Sequence, residues 1–292
     1  MAGAGRGSNG EPGAADVGAL PADSLAGVAR AIVASEATAE KVALAKAGAK
    51  AWFQGRLSLG HRSVVLPMPD RPGRPPLPEL RAPRDMPRRT TSGVKGRIAL
   101  LHALAHIELN AVDMTWDLVG RFARADVPRA FFDNWVQVGL EEAKHFDLLE
   151  RRLAALGSFY GAHPAHDGLW QTAQATAESL LARVAIVPLV LEARGLDVTP
   201  SMIENLTAAG DPESAEVIGI IYRDEKRHVA FGVKWFRYLA EREGRPPEPT
   251  FHALVRQYFK GSIKPPFNER ARSEAGLTPG FYKPLSALGS PR

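Results

Sequence analysis

Two short motifs, 83 residues apart, constrain this chain more than anything else in it: Glu142-x-x-His145 in "EEAKHF" and Glu225-x-x-His228 in "DEKRHVAFG". Residues three apart on an α-helix share a face one turn apart, so each pair aims a carboxylate and an imidazole at one point. A single such pair is common on solvated helices. Here each is preceded by a lone glutamate, Glu108 34 residues before Glu142 and Glu192 33 residues before Glu225. Both lone glutamates stand in apolar settings, Glu108 within a stripe that includes Leu101, Leu104, Ala105, Ala111 and Val112, and Glu192 beside Ala185, Pro188 and Leu189. This is the spacing of a helical hairpin, used twice. Packed antiparallel, two hairpins bring four carboxylates and two imidazoles to the centre of a bundle. Burying four carboxylates without countercharge is prohibitive, and two divalent ions would neutralise them. The pattern therefore calls for a dinuclear metal centre.

The rest of the chain is read around that pattern. Residues 1–20 are rich in Gly and Ala, have little to bury, and are expected to be disordered. Residues 21–93 form an N-terminal helical segment, with Asp23 or Ser24 as its cap, followed by an arm whose eight prolines between 61 and 93 exclude regular helix. The arm is expected to be extended and wrapped on the body. Residues 94–244 carry almost no strand signal and predict four long helices. Asp126 and Pro128 open the second, Gly157 stops it, the third runs from about 169 to Gly195, and Asp211 with Pro212 opens the fourth. A short helix capped by Thr199, with Pro200 in first position, is expected between the last two. Residues 245–292 read as one short helix, "FHALVRQYF", in an irregular tail. The predicted fold class is all-α, an antiparallel four-helix bundle with an extra N-terminal helical segment and a Pro-rich arm.

With these residues in view, the chain resembles the ferritin-like di-iron carboxylate superfamily, having the expected residue type at each of its six ligand positions. The strings "LLHALAHIELNAVDMTWDL", "EEAKHF" and "DEKRHVAFG" look like a bacterial ferritin-like family labelled as a domain of unknown function, over about residues 22 to 270. The resemblance implies a ferritin-like bundle in which Glu108 and Glu192 are terminal or chelating ligands, Glu142 and Glu225 bridge two ions, and His145 and His228 each bind one. Two iron ions are the expected cofactor, since hard carboxylates with only two imidazoles suit iron or manganese better than copper. Manganese or a mixed pair is the alternative.

Around the six, Tyr222 lies one turn before Glu225 and is the candidate catalytic phenol or hydrogen-bond partner, packing being the plainer reading. Glu141 and Asp224 are rotated about 100° from the motif glutamates. They are expected to point elsewhere, as solvated charge or as carboxylates behind the ligands. Asp113 points off the ligand face but is within reach of a neighbouring histidine, and Thr115 and Trp116 are expected to line the core. Pro188 should kink the third helix or open a wider turn that re-aims Glu192. His61, His102, His106, His163, His166 and His252 lack the motif spacing.

Composition narrows the chemistry. With 292 residues, 45% hydrophobic, the chain can bury a sizeable core, and its zero cysteines exclude disulfides, thiolate zinc sites and iron-sulfur clusters held by this polypeptide. The absence of an apolar run of about 18 residues and of a secretory leader points to the cytoplasm and away from membranes. The net charge of +5 is mild, although residues 81–97 gather Arg81, Arg84, Arg88, Arg89, Lys95 and Arg97. A solvated loop is the plain reading of that cluster, and a surface for an acidic partner, a phosphorylated substrate or RNA is the alternative. The expected function is a di-iron oxidoreductase that activates dioxygen to hydroxylate or oxidise a small-molecule substrate, drawing electrons from a separate reductase. Ferritin-like ferroxidase or storage activity and hydroxylation of a tRNA base are the alternatives. A homodimer is compatible with the sequence, and nucleic acid is a less favoured partner.

Overall fold

A computed structural model describes residues 20–60, 67–123 and 126–286. Nearly all of the stretch expected to be disordered lies outside those residues, as do the start of the Pro-rich arm at 61–66 and the end of the tail at 287–292. Helix α1 (Leu25–Ala34) starts at Ser24, whose hydroxyl accepts the Gly27 N–H at 3.2 Å, and α2 (Thr38–Phe53) follows after a short turn. From 67 to 93 the arm has no helix beyond a single 3₁₀ turn at Pro83–Asp85, as its prolines require. Its backbone finds partners on the body instead: Gly73 N–H donates to Val33 O at 2.8 Å, Arg81 N–H to Ala165 O at 2.8 Å, and Glu79 O accepts from Ala165 N–H at 3.0 Å.

Helices α3 (Val94–Arg121) and α4 (Arg129–Ala155) make the first hairpin. Gly139 sits on Trp116 and His145 faces Glu108, so the helices run antiparallel. Pro128, not Asp126, occupies the cap position of α4; the Asp126 carbonyl accepts from Arg242. Gly157, at φ 74°, ends α4 as expected. The side of α3 away from the hairpin carries Asp113, which the sequence placed within reach of a histidine. It is fully buried and taken up by Lys41 from α2 and by Arg74 from the arm, at 3.3 Å. Lys41 also donates to Gly73 O at 3.0 Å and Arg74 to Asn110 Oδ1 at 2.7 Å, so one buried ion cluster pins α2 and the arm to the bundle.

The third rung departs most from expectation. In place of one helix over 169–195 there are α5 (Gly168–Ala175), α6 (Leu180–Ile186), a π-helical turn (Val187–Glu192) and α7 (Ala193–Ala208). The buried Arg183 guanidinium fills the break after α5, donating to Ala173 O at 2.7 Å, Thr176 Oγ1 at 2.8 Å and Asp117 Oδ2 at 2.6 Å. Pro188 opens the wider turn, as its missing N–H predicts. Neither Gly195 nor Pro200 ends α7. Pro200 cannot donate to Leu196 O, and Asn268 Nδ2 donates to that carbonyl instead at 3.2 Å.

Asp211 caps α8 (Pro212–Arg242), accepting from Ser214 N–H at 3.1 Å. The expected tail helix is α9 (Pro247–Tyr258), but α10 (Glu269–Glu274) and α11 (Pro279–Ser286) follow it. Phe251 and Phe281, with ring centres 5.4 Å apart, pack on Phe236 of α8, and Arg272 binds Asp197 of α7 at 2.7 and 2.8 Å, which fixes these short helices in place. Glu141 lies against His228 and His145 against Asp224, while Pro188 lies against Gly232 and Glu192 close to Glu225, so α8 runs antiparallel both to α4 and to the third rung. The described residues are all-helical with no strand, and no helix among them is long and apolar enough to cross a membrane.

Candidate metal centre

Each rung of the bundle contributes to one buried cluster: Glu108 from α3, Glu142 and His145 from α4, Glu192 from the last position of the π turn, and Glu225 and His228 from α8. Glu108, Glu142, His145 and Glu225 offer ligand atoms that all lie within 4.8 Å of one another, and so do Glu192, Glu225 and His228. Glu225 belongs to both groups. Glu142 also reaches both histidines, its Oε2 lying 3.3 Å from His145 Nδ1 and its Oε1 3.0 Å from His228 Nδ1. The second pair is close without the alignment of a hydrogen bond, and both atoms are left without a partner. So are Glu192 Oε1 and Oε2 and Glu225 Oε2. Buried polar atoms are nearly always satisfied, and here five orphans converge on one point. This buried Glu/His group can hold metal.

Charge at the cluster is strongly perturbed. Burial raises the Glu108 carboxyl to about 8, with the Glu142 charge adding to the effect, and burial likewise raises Glu192 and Glu225. Burial also opposes ionisation of Glu142, but the facing charge of His228 and the hydrogen bond and charge of His145 outweigh it and hold this carboxyl low. Against the effect of burial, hydrogen bonds to Asp224, Glu108 and Glu142 raise His145, and the Glu225 and Glu142 charges raise His228. Such a site is a poor place for bare carboxylates and a good one for cations.

Behind the histidines stands a crossed brace. Glu141, next to the α4 motif, accepts from His228 Nε2 on α8 at 2.8 Å, and Asp224, next to the α8 motif, lies 3.0 Å from His145 Nε2 on α4. A carboxylate accepts, so Nε2 carries the proton and Nδ1 is left facing the cluster on both rings. Gln137 donates to Glu141 at 2.6 Å, Arg227 also pairs with it, and Lys144 lies 2.5 Å from Asp224. Of the two roles the sequence left open for these acids, solvated charge or carboxylates behind the histidines, the structure has the second. The signal was an acidic residue at the same place in both motifs, immediately before the motif glutamate.

The structure does not bring Tyr222 to the six. Its hydroxyl turns instead to the start of α10, where it accepts from Asn268 Nδ2 at 3.1 Å. Thr115 and Trp116 are buried core residues, as expected. His102 and His106 pack away from the cluster; His102 Nε2 accepts from Gly161 N–H at 2.9 Å, and the His106 ring nitrogens meet Tyr160 Oη and His166 O. His61 lies outside the described residues. On the other side of the carboxylates, a cavity of about 170 Å³ is bounded by Glu108, Glu192 and Glu225 and walled by Leu104, Met114 and Ile221.

Residues 34–283 match the family described as "Protein of unknown function (DUF455)". The chain belongs to this family. A relative from Haemophilus influenzae (strain ATCC 51907 / DSM 11121 / KW20 / Rd), called an uncharacterized protein, is 41% identical over 213 residues, covering 70% of this chain and 73% of its own. No solved structure matches the chain. The DUF455 match runs from the end of α1 into α11 and so takes in all six cluster residues and both braces.

Proposed function

We propose that this DUF455 protein is a di-iron carboxylate oxidoreductase of the ferritin-like kind, using dioxygen to hydroxylate or oxidise an organic substrate. The observation that carries the reading is the convergence of four carboxylates and two imidazole Nδ1 atoms on one buried point, with five of the polar atoms there unpartnered. Two divalent ions match four carboxylates in charge, and the oxygen-rich donor set favours iron, with manganese next. Glu108 and His145 would hold one ion, Glu192 and His228 the other, and Glu142 and Glu225 would span both. Bound iron would supply the redox chemistry that reduces dioxygen.

The chain's own residues do the rest. Glu141 and Asp224 fix the imidazoles with Nδ1 inward, and the surrounding core keeps water from the centre. Hydroxylation of a C–H group consumes dioxygen, two electrons and two protons and yields the alcohol and water. A cysteine-free chain draws those electrons from a separate reductase. The apolar cavity beside three of the carboxylates favours an enzyme over an iron store, because oxidation of iron alone needs no organic pocket. The reading is tested by anaerobic loading with Fe(II), metal quantification, and exposure to oxygen while optical spectra are followed. About two irons per chain and an oxo-bridged ferric spectrum are expected; a chain that retains no metal ends the proposal. Turnover with a reductant and an added substrate, rather than stoichiometric iron oxidation, separates enzyme from store.

A further inference from the structure

We infer that the substrate is an amphipathic carboxylic acid, with its apolar part against Glu108, Glu192 and Glu225 and its carboxylate held by Arg194 and Lys264. This rests on the reading of the six residues as a metal centre. The cavity beside the three glutamates has a volume of about 170 Å³, and apart from those carboxylates, Arg194 and Thr199 its wall is apolar. An engineered apolar cavity of about 150 Å³ admits benzene, so the space takes one ring or about six carbons of a chain. Size and lining together exclude a sugar, a nucleotide or a large polar substrate at this depth.

The cavity has a neighbour that shares part of its wall. A second space of about 310 Å³, lined by Phe259, Ile263, Phe267, Ser262 and Lys264, meets it at Leu169, Leu191 and Arg194, which border both. The outer space is therefore apolar on its walls and cationic at its edge. Its buried ion pair, Arg272 with Asp197, is satisfied internally at 2.7 and 2.8 Å and offers no net charge. Arg194 differs. Its side chain is 38% exposed, and its hydrogen bonds, to Asp197 Oδ2 at 3.4 Å, Lys264 O at 2.9 Å and Pro266 O at 3.0 Å, all leave from Nη1. That anchors the guanidinium while Nε and Nη2 stay available to a planar carboxylate, with the exposed Lys264 beside it. One arginine and one lysine at the boundary of an apolar space select a small anion on an apolar body.

Gly195 gives a direct handle on the cavity. It lines the inner space, and a Cβ added there would meet nothing within 4 Å. A leucine at this position would occupy the cavity, and helix propensity favours the change.

The test is calorimetric titration of the full chain as purified, its metal content measured, with octanoate and with 1-octanol. Octanoate is expected to bind about ten-fold tighter than octanol or better. Arg194→Gln should erase most of that preference while octanol binding persists. Lys264→Gln, a change at an exposed side chain, should reduce it even if Arg194→Gln folds poorly. Gly195→Leu should weaken both ligands, with an unchanged circular dichroism spectrum. Equal affinity for the acid and the alcohol, a preference that survives both charge substitutions, or full octanoate binding by Gly195→Leu each overturns the inference. A chain that holds two metal ions but fails these titrations loses the substrate assignment and keeps the metal centre. A chain that passes them but never retains metal keeps the acid site and loses the metal centre.

Discussion

At the cluster, Glu142 Oε2 faces His145 Nδ1 at 3.3 Å and Oε1 faces His228 Nδ1 at 3.0 Å, so removing this one carboxylate strips a donor from both halves. Glu142→Ala is expected to lower bound iron from about two per chain toward none, whereas His145→Ala should remove about one. Metal analysis after anaerobic loading decides it, and a Glu142→Ala protein with full occupancy would show that this residue does not span the site. Asp224→Asn should keep the fold but weaken metal binding by about 10- to 100-fold, since the carboxylate that orients His145 is lost; competition with a chelator measures the change, and an unaltered affinity would make Asp224 a bystander. His102 gives a pH signature. It is 1% exposed and faces Tyr160 and His163, and burial, followed by the nearby His163, lowers its pKa from 6.5 to about 4. The unfolded chain thus takes up a proton that the native ring refuses. The native state keeps its full margin above about pH 6.5 and loses it as pH falls toward 4. His102→Gln should lose about 2 kcal/mol less than the parent between pH 7 and pH 5 in urea unfolding, and parallel pH profiles for the two proteins would contradict this.

At the scale of elements, the π turn decides where Glu192 points. Pro188 starts it and Gly232 of α8 makes room for it: a Cβ on residue 232 would stand 2.6 Å from Pro188 Cβ and 2.8 Å from its Cγ. Gly232→Ala, though favourable to an isolated helix, is expected to destabilise the protein by about 1–3 kcal/mol and to lower metal occupancy by shifting Glu192. Denaturation and metal analysis on one preparation test both, and a more stable protein with full metal would refute the clash. Helix starts and stops were legible where a local group makes the cap, as at Ser24, Gly157 and Asp211. They were misread at Gly195 and Pro200 because what compensates them is distant: the Leu196 carbonyl freed by Pro200 is taken by Asn268, far along the chain. The break at Thr176–Ser179 was hidden for the same reason, since Arg183 and Asp117 meet only in the folded bundle.

For the molecule as a whole, the N-terminal segment and the arm are built into the bundle by the cluster of Lys41, Arg74 and Asp113. Both Lys41 and Asp113 are buried, so Lys41→Met removes one partner of a buried charge and is expected to cost about 3 kcal/mol or more. Loosening of the arm should accompany it, read as faster hydrogen exchange at the Gly73 amide, which donates to Val33 O. Unfolding at the parent midpoint with an unchanged arm would mean that Arg74 alone suffices for Asp113.

The sequence by itself determined the helical class, the repeated hairpin and the six residues that the fold gathers, because helical periodicity and a three-residue Glu–His spacing are local and survive in one dimension. It also foretold a kink or a wider turn at Pro188, since a missing N–H has its effect within a few residues, and the structure has the wider turn. Only the tertiary structure decided which residues stand behind the cluster histidines, where Tyr222 and Asp113 direct their polar groups, and how the tail folds. Those outcomes depend on side chains from different helices meeting. Glu141 and Asp224 look like surface charge on their own helices and become braces only because α4 and α8 run antiparallel at a spacing that sets each opposite the other's histidine.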